Sequence, residues 1–204
     1  METLAALKPK LFVYDKPFLL SADRTILYGF AVSNETVLEI PSTVLFYDNL
    51  FIHEETYGYQ RIVINERLEE IVNTQNAFGF YVEEYRVHES NNNYFGKNGI
   101  LFDVDPEQNT QVKLILFPSG WGISNKDAYV QFPPFGALII GEYAFFMRGF
   151  IQAIVLPPNT KICKNSFFVQ HGCGKIFASS ELHTQFDKMI ADGRINEIDI
   201  EYYL

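Results

Sequence analysis

Apolar residues in this chain come in short alternating runs that stop at proline, and one such phrase returns at a nearly fixed interval. Ile154-Val-Leu-Pro-Pro-Asn-Thr160 leads directly into Lys161-Ile-Cys-Lys-Asn-Ser-Phe167. One interval earlier, Phe132-Pro-Pro-Phe-Gly136 precedes Leu138-Ile-Ile-Gly-Glu-Tyr-Ala-Phe145, and near the start Val37-Leu-Glu-Ile-Pro-Ser-Thr-Val44 opens another copy. Aligning the apolar residue at the proline slot gives Ile40, Ile64, Val87, Phe132, Leu156, Ala178 and Ile200, with steps of 24, 23, 45, 24, 22 and 22 residues. Self-similarity at such a period is the mark of a solenoid, and the one long step is close to two periods.

Each unit reads apolar-x-apolar-Pro, a variable stretch, then Ile-x-x-x-x-Phe. Ile154 and Leu156 fall on one face of a short strand because strand side chains alternate. Pro157 cannot donate to a ladder, so it ends that strand. Ile162 and Phe167 then re-enter the interior from the opposite wall. One unit cannot bury its own apolar side, so units must stack into a continuous core. The 19 Phe and 12 Tyr fit this scheme, with Phe145 and Phe167 predicted to stand in one stacked column.

The ends differ from the middle. Lys10-Leu-Phe-Val-Tyr14, within residues 1–17, reads as a lead-in strand that covers the first coil. Asn98-Gly99 signals a tight type I′ turn, which needs two positive φ angles. Gly120-Trp-Gly122 marks a second, exposed turn. Residues 179–204 begin with an amphipathic helix from about Ser180 to Ala191, its face formed by Leu182, Phe186, Met189 and Ile190. Ser179 or Ser180 caps its start and Gly193 its end. Ile198-Asp-Ile200 supplies a last strand beside Ile176.

The repeat unit resembles the leucine-rich repeats of the BspA type, most closely in Ile140-Gly-Glu-Tyr-Ala-Phe145 and Ile151-Gln-Ala-Ile-Val-Leu-Pro157. The long step resembles a hairpin insertion of that family, at about residues 88–118. Val87-His-Glu-Ser-Asn-Asn-Asn-Tyr94 runs into Gly99-Ile-Leu-Phe-Asp103, and Leu114-Ile-Leu-Phe-Pro118 closes it. Phe18 to Tyr28 is similar to the second half of the same insertion. Between Leu45 and Phe80 the pattern weakens, and Asn65 stands where proline is expected. The resemblance covers about residues 18–178. It implies a mainly β fold: one domain, a short leucine-rich-repeat solenoid of stacked strands with a β-hairpin insertion and a C-terminal capping helix.

The 204 residues are 48% apolar and only 20% charged, enough for a buried core and against disorder. The net charge of −9, with scattered Lys and Arg, leaves no basic stripe for nucleic acid. No apolar run approaches the roughly 18 or more residues that a membrane-spanning helix requires. The first ten residues do not read as a signal peptide, which at face value indicates the cytoplasm, whereas the family resemblance implies a surface or secreted protein. Two cysteines, Cys163 and Cys173, make no disulfide framework and read first as small buried hydrophobes.

Catalytic chemistry finds little support. His171-Gly-Cys-Gly174, even with Cys163 and His183, lacks zinc spacing and has no third group to orient a Cys-His pair. His53-Glu-Glu55 and His88-Glu89 lack the spacing that sets two ligands on one helix face. Glu83-Glu84 and Glu69-Glu70 are strand neighbours pointing to opposite faces, hence solvated edges. No nucleotide or nucleophile-elbow motif is present. The expectation is a non-catalytic recognition module with no catalytic, cofactor or metal site. Its partner, a protein or matrix component, is implied by the resemblance. Glu39, Gln131, Val155 and Asp199 are the outward-facing candidates. The alternative is a carbohydrate-binding module that stacks sugars on exposed Trp121, Tyr94 and Tyr129.

Overall fold

The computed structural model describes residues 12–31, 35–50, 59–75, 77–79, 81–104, 111–121, 129–132, 136–145, 151–167, 173–192 and 199–204. These form a mainly β solenoid of about five turns with one short C-terminal helix. The described chain begins with an antiparallel meander of β1 (Phe12–Asp15), β2 (Phe18–Ser21) and β3 (Ile26–Phe30). It then alternates between two walls through β4 (Val37–Glu39), β5 (Phe46–Tyr47), β6 (Arg61–Ile64), β7 (Glu70–Ile71) and β8 (Glu84–Val87). A second meander follows, of β9 (Tyr94–Lys97), β10 (Ile100–Val104) and β11 (Gln111–Leu116). The alternation resumes with β12 (Tyr129–Gln131), β13 (Ala137–Ile140), β14 (Ile151–Val155), β15 (Lys161–Ile162) and β16 (Cys173–Ser179). Helix α1 (His183–Ala191) and β17 (Asp199–Tyr203) complete the described chain.

Four sheets result, and they come as two equivalent pairs. Sheet A runs β1-β2-β3-β5-β7, and sheet B runs β4-β6-β8. Sheet C runs β9-β10-β11-β13-β15, and sheet D runs β12-β14-β16-β17. Sheets A and C each start with three antiparallel strands and continue with two parallel ones, while B and D are parallel throughout. The solenoid is therefore a tandem of two modules. The sequence reading caught the second half of the first meander; β1, expected as a lead-in, pairs with β2 and is its first strand. Lys10 and Leu11 lie outside the described residues.

The repeat register holds along most of the chain. Val37 pairs with Arg61 and Arg61 with Glu84 in sheet B, and Tyr129 with Ala153 in sheet D. The last step differs: Ile200 pairs with Ile176, and Ala178 with Tyr202, so the final coil is two residues longer than the alignment to Ala178 implies. A helix and its connection replace half a coil there, and no repeat pattern governs their length.

The expected aromatic column is present. Phe117 and Phe145 stack at 5.0 Å, and Phe145 and Phe167 at 4.8 Å with planes 6° apart. Phe186 of α1 closes the column 6.1 Å from Phe167. Ile140, Ile154, Leu156 and Ile162 are buried in the same core. Tyr143 and Asn165 occupy the same turn in consecutive coils with φ of 55° and 57°, and the Tyr143 N–H donates to the Asn165 carbonyl.

The long step holds the predicted hairpin. Leu101 faces Leu116 and Phe102 faces Leu114 across antiparallel strands, and Asn98 and Gly99 turn the chain with φ of 53° and 77°. The hairpin does not project. Leu101, Ile115 and Leu116 enter the first module's core, while Ile100, Phe102, Leu114 and Phe117 enter the second's. Both faces are buried, so the meander is a septum between two cores. That double burial explains the unbroken apolar run from Leu114 to Phe117, as in any strand covered on both sides.

At the C-terminal end a 3₁₀ turn, Ser180–Leu182, precedes α1, and the Ser179 hydroxyl accepts from the Glu181 N–H. Leu182, Phe186 and Met189 are buried, but Ile190 is 45% exposed and takes no part in the cap. Positions three and four residues beyond Phe186 both satisfy helical spacing, and the packing of α1 on Phe167 selects Met189. Gln185 donates to the Ile162 carbonyl at 2.6 Å, so the helix caps the end of sheet C. Strand β17 extends sheet D beside Ile176. Gly193 and Ile198 lie outside the described residues.

Candidate functional site

Among the described residues, the outward faces of sheets D and B and the seam between the modules hold the candidate chemistry. On sheet D, Ile154 and Ile176 point into the core, so the alternate residues point outward. Register then places Tyr129, Ala153, Lys175 and Asp199 in one row, and Gln131, Val155, Phe177 and Glu201 in the next. Tyr129 is 63% exposed, Val155 and Phe177 are half-buried, and Gln131 and Asp199 are exposed. Lys175 reaches Glu201 at 2.9 Å and Asp199 at 3.3 Å, and its ammonium sits 5.6 Å from the Phe177 ring centre. The bonds to Glu201 and then Asp199 raise the lysine's pKa above its ordinary value. The face is thus an aromatic and aliphatic strip edged by a shared ion pair with one carboxylate in excess.

Sheet B repeats the arrangement with different chemistry. Its outward rows are Val37, Arg61 and Glu84, then Glu39, Val63 and Arg86. Glu84 accepts from Arg61 at 2.6 Å and from Arg86 at 2.8 Å. Partial burial alone would raise the Glu84 pKa, but the bonds from Arg86 and Arg61 outweigh it and hold the carboxyl below its usual value. Glu39 is exposed at the end of the edge strand β4.

The seam between modules opens on both sides. Between β8 and the β9–β10 turn lies a cleft of about 560 Å³ lined by Glu83, Glu84, Arg86, Asn98 and Trp121, with the Gly96 and Gly99 main chain. The Tyr85 N–H donates to the Gly99 carbonyl at 2.8 Å, pinning the turn to β8. Gly96 has to be small there, since a Cβ would lie 3.1 Å from the Tyr85 carbonyl. Against the other wall, a cleft of about 580 Å³ runs between β7 and β10–β11, lined among others by Glu69, Glu70, Asp103 and Lys113.

Of the seven expected surface residues, Gln131, Val155, Asp199 and Tyr129 share the sheet D face, and Glu39 stands apart on sheet B. Tyr94 is a correction. It is only 6% exposed, packs in the first module's core, and accepts from the Ile71 N–H at 2.9 Å. Burial is the main cause that pushes its phenol up to about 12. A residue that starts a septum strand faces a core on one side, and no local signal distinguishes it from a hairpin tip. Trp121 is half-buried against Phe117 at 5.2 Å, and its turn is less open than expected because Gly120 is buried; Gly122 lies outside the described residues. Trp121, Tyr94 and Tyr129 therefore form no common sugar platform.

Cys163 is a free, half-buried thiol rather than a fully buried one. His171, His53 and Glu55 lie outside the described residues, as does the Cys173 side chain. His183 bonds Asp187 one helical turn on and packs over Tyr202, and His88 accepts from the Ser90 N–H. Among the described residues, no group of three His, Cys, Asp or Glu is placed to hold a metal ion, and no helix is long and apolar enough to cross a membrane. Compared with known proteins, the chain matches no family model, no curated protein and no solved structure.

Proposed function

We propose that this chain is a non-catalytic recognition module that binds a protein partner through the outward face of sheet D. One observation carries the reading: exposed Tyr129 with half-buried Val155 and Phe177 forms an outward apolar strip across β12, β14 and β16, bordered by Lys175, Asp199 and Glu201. Interfaces draw their affinity from a few aromatic and aliphatic anchors with charged residues at the rim. A parallel ladder fixes such anchors in place, so little ordering entropy is lost on binding. The excess carboxylate favours a partner with a basic rim. The likeness of the repeat units to BspA-type leucine-rich repeats supports the same reading, and with it a matrix component or surface protein as partner and a place at the cell surface or outside it.

The test is capture from a host extract with the full chain and with a Val155→Asp/Phe177→Asp variant whose circular dichroism and melting match the parent. The parent retains a protein that the variant loses, and the purified pair binds saturably. Equal retention by both chains would remove sheet D from the interface.

A further inference from the structure

The cleft on the sheet B side of the seam has a lining unlike either strand face, and we infer that it is a site for a neutral saccharide. This goes beyond the protein-recognition reading and does not rest on it. The volume of about 560 Å³ lies within the range of small-molecule sites. Charge narrows the ligand. Glu84 already accepts from both Arg61 and Arg86, so its carboxylate is satisfied, while Arg86 keeps further N–H groups. Glu83 then opposes a phosphate or carboxylate, and Arg86 at the same cleft opposes a cation. A wholly apolar ligand would strand the polar groups of Glu83, Asn98 and Arg86 without water. What remains is an uncharged ligand rich in hydroxyls, each able to donate and accept.

The donor and acceptor set suits that class. The Glu83 carboxylate accepts from hydroxyls, the Asn98 amide does both, and the Arg86 guanidinium keeps N–H groups beyond the one spent on Glu84. Trp121 supplies the aromatic wall. The site is also held rigid: Trp121 rests on Phe117, Phe117 stacks on Phe145, and the Asn98-Gly99 turn is bonded to β8. Rigid supports of this kind lower the cost of binding a small ligand. Tyr94 and Tyr129 are not part of the site, since one is buried in the septum and the other lies on sheet D.

Trp121 is the chain's single tryptophan, so its emission reports on this cleft alone. The full chain is titrated with glucose, galactose, N-acetylglucosamine and their β-1,4-linked disaccharides, with inorganic phosphate and spermidine as charged probes, and is also applied to a glycan array. A saturable change with at least one neutral sugar, and none with phosphate or spermidine, is expected. Glu83→Ala weakens that binding about tenfold or more, the scale of one hydrogen bond to a charged group. Tyr129→Ala leaves it unchanged. No saturable response to any neutral sugar with a blank array, a response to the charged probes instead, or undiminished binding by Glu83→Ala would each overturn the assignment. Loss of protein capture by the sheet D variant with sugar binding intact would separate the two sites.

Discussion

Asn65 stands where the repeat calls for proline, and its replacement offers the sharpest test of how the first module is held together. Its side chain is buried and fully used. The amide donates to the carbonyls of Pro41 at 2.6 Å and Val44 at 3.0 Å, one coil earlier. Its oxygen accepts from the N–H groups of Arg67 and Leu68, both at 2.7 Å. Asn91 repeats the device one coil later, donating to the carbonyls of Asn65 and Leu68 and accepting from Asn93 and Tyr94. These are ladders between coils, made where the chain turns and no strand pairing satisfies the main chain. Four hydrogen bonds at about 1 kcal/mol net each set a scale of about 4 kcal/mol for Asn65→Ala. Asn65→Pro restores the repeat's own residue but none of these bonds, so it does not rescue stability. Asn65→Asp keeps the acceptor and turns a carboxylate toward two carbonyls, which raises its folded-state pKa; acid then restores a donor and recovers part of the loss. Urea unfolding followed by circular dichroism reads all three, with stability taken from the midpoint and slope. An Asn65→Ala midpoint equivalent to less than about 0.5 kcal/mol, the range of an ordinary surface change, would refute the ladder.

Three further outcomes follow from the same structure. Phe167→Ala removes the middle of the aromatic column and costs about 3–5 kcal/mol in the same unfolding assay; a smaller loss would mean the coils repack without it. Deleting residues 180–204 uncovers Phe167 and the full edge of β16, so the product aggregates in light scattering; a monomer with unchanged melting would show that α1 and β17 are not a cap. Glu84→Gln forfeits stability that is present above the ordinary glutamate pKa of 4.5 and disappears as pH falls through the depressed folded value. Parent and variant unfolding curves therefore converge in acid, and a gap that persists there would remove the ion triad as its source.

What the sequence revealed divides along physical lines. Strand alternation, the proline stops at Pro41, Pro118 and Pro157 and the Phe145–Phe167 spacing are local or strictly periodic, and these appear where the pattern puts them. The Asn98-Gly99 turn was legible because positive φ restricts residue type at those two positions. Asn65 was not, because a side chain bonding a carbonyl 24 residues earlier leaves no local mark and registers only as a missing proline. Met189 and Ile190 were interchangeable by spacing, and only the docking of α1 separates them. The candidate faces were partly legible for the same reason. Outward positions on sheet D follow from alternation, but their assembly into one patch depends on register between coils. Tyr94 misled because a strand buried on both sides looks like any aromatic hairpin strand.

The seam is where these lessons meet. The meander crosses between the two cores: β11 pairs with β13 and lines a cleft with β7, while β9 and β10 lie beside β8. An opening is left along β8 where the β9–β10 turn meets it. The Asn98-Gly99 turn and Trp121 fill part of the opening, and the rest is the cleft lined by Glu83, Asn98 and Arg86. In the first module the β1–β2 turn meets β4 instead. A cleft of about 560 Å³ lies there too, lined by Pro17, Phe18 and residues 35–39. The two openings are similar in size but not in place, since one lies against β8, the last strand of sheet B, and the other against β4, its first. They also differ in the residues that line them, with Trp121, Asn98 and Arg86 at one and Pro17, Phe18 and Glu35 at the other, so the contacts of the meander turns, not the repeat unit, set what each cleft presents.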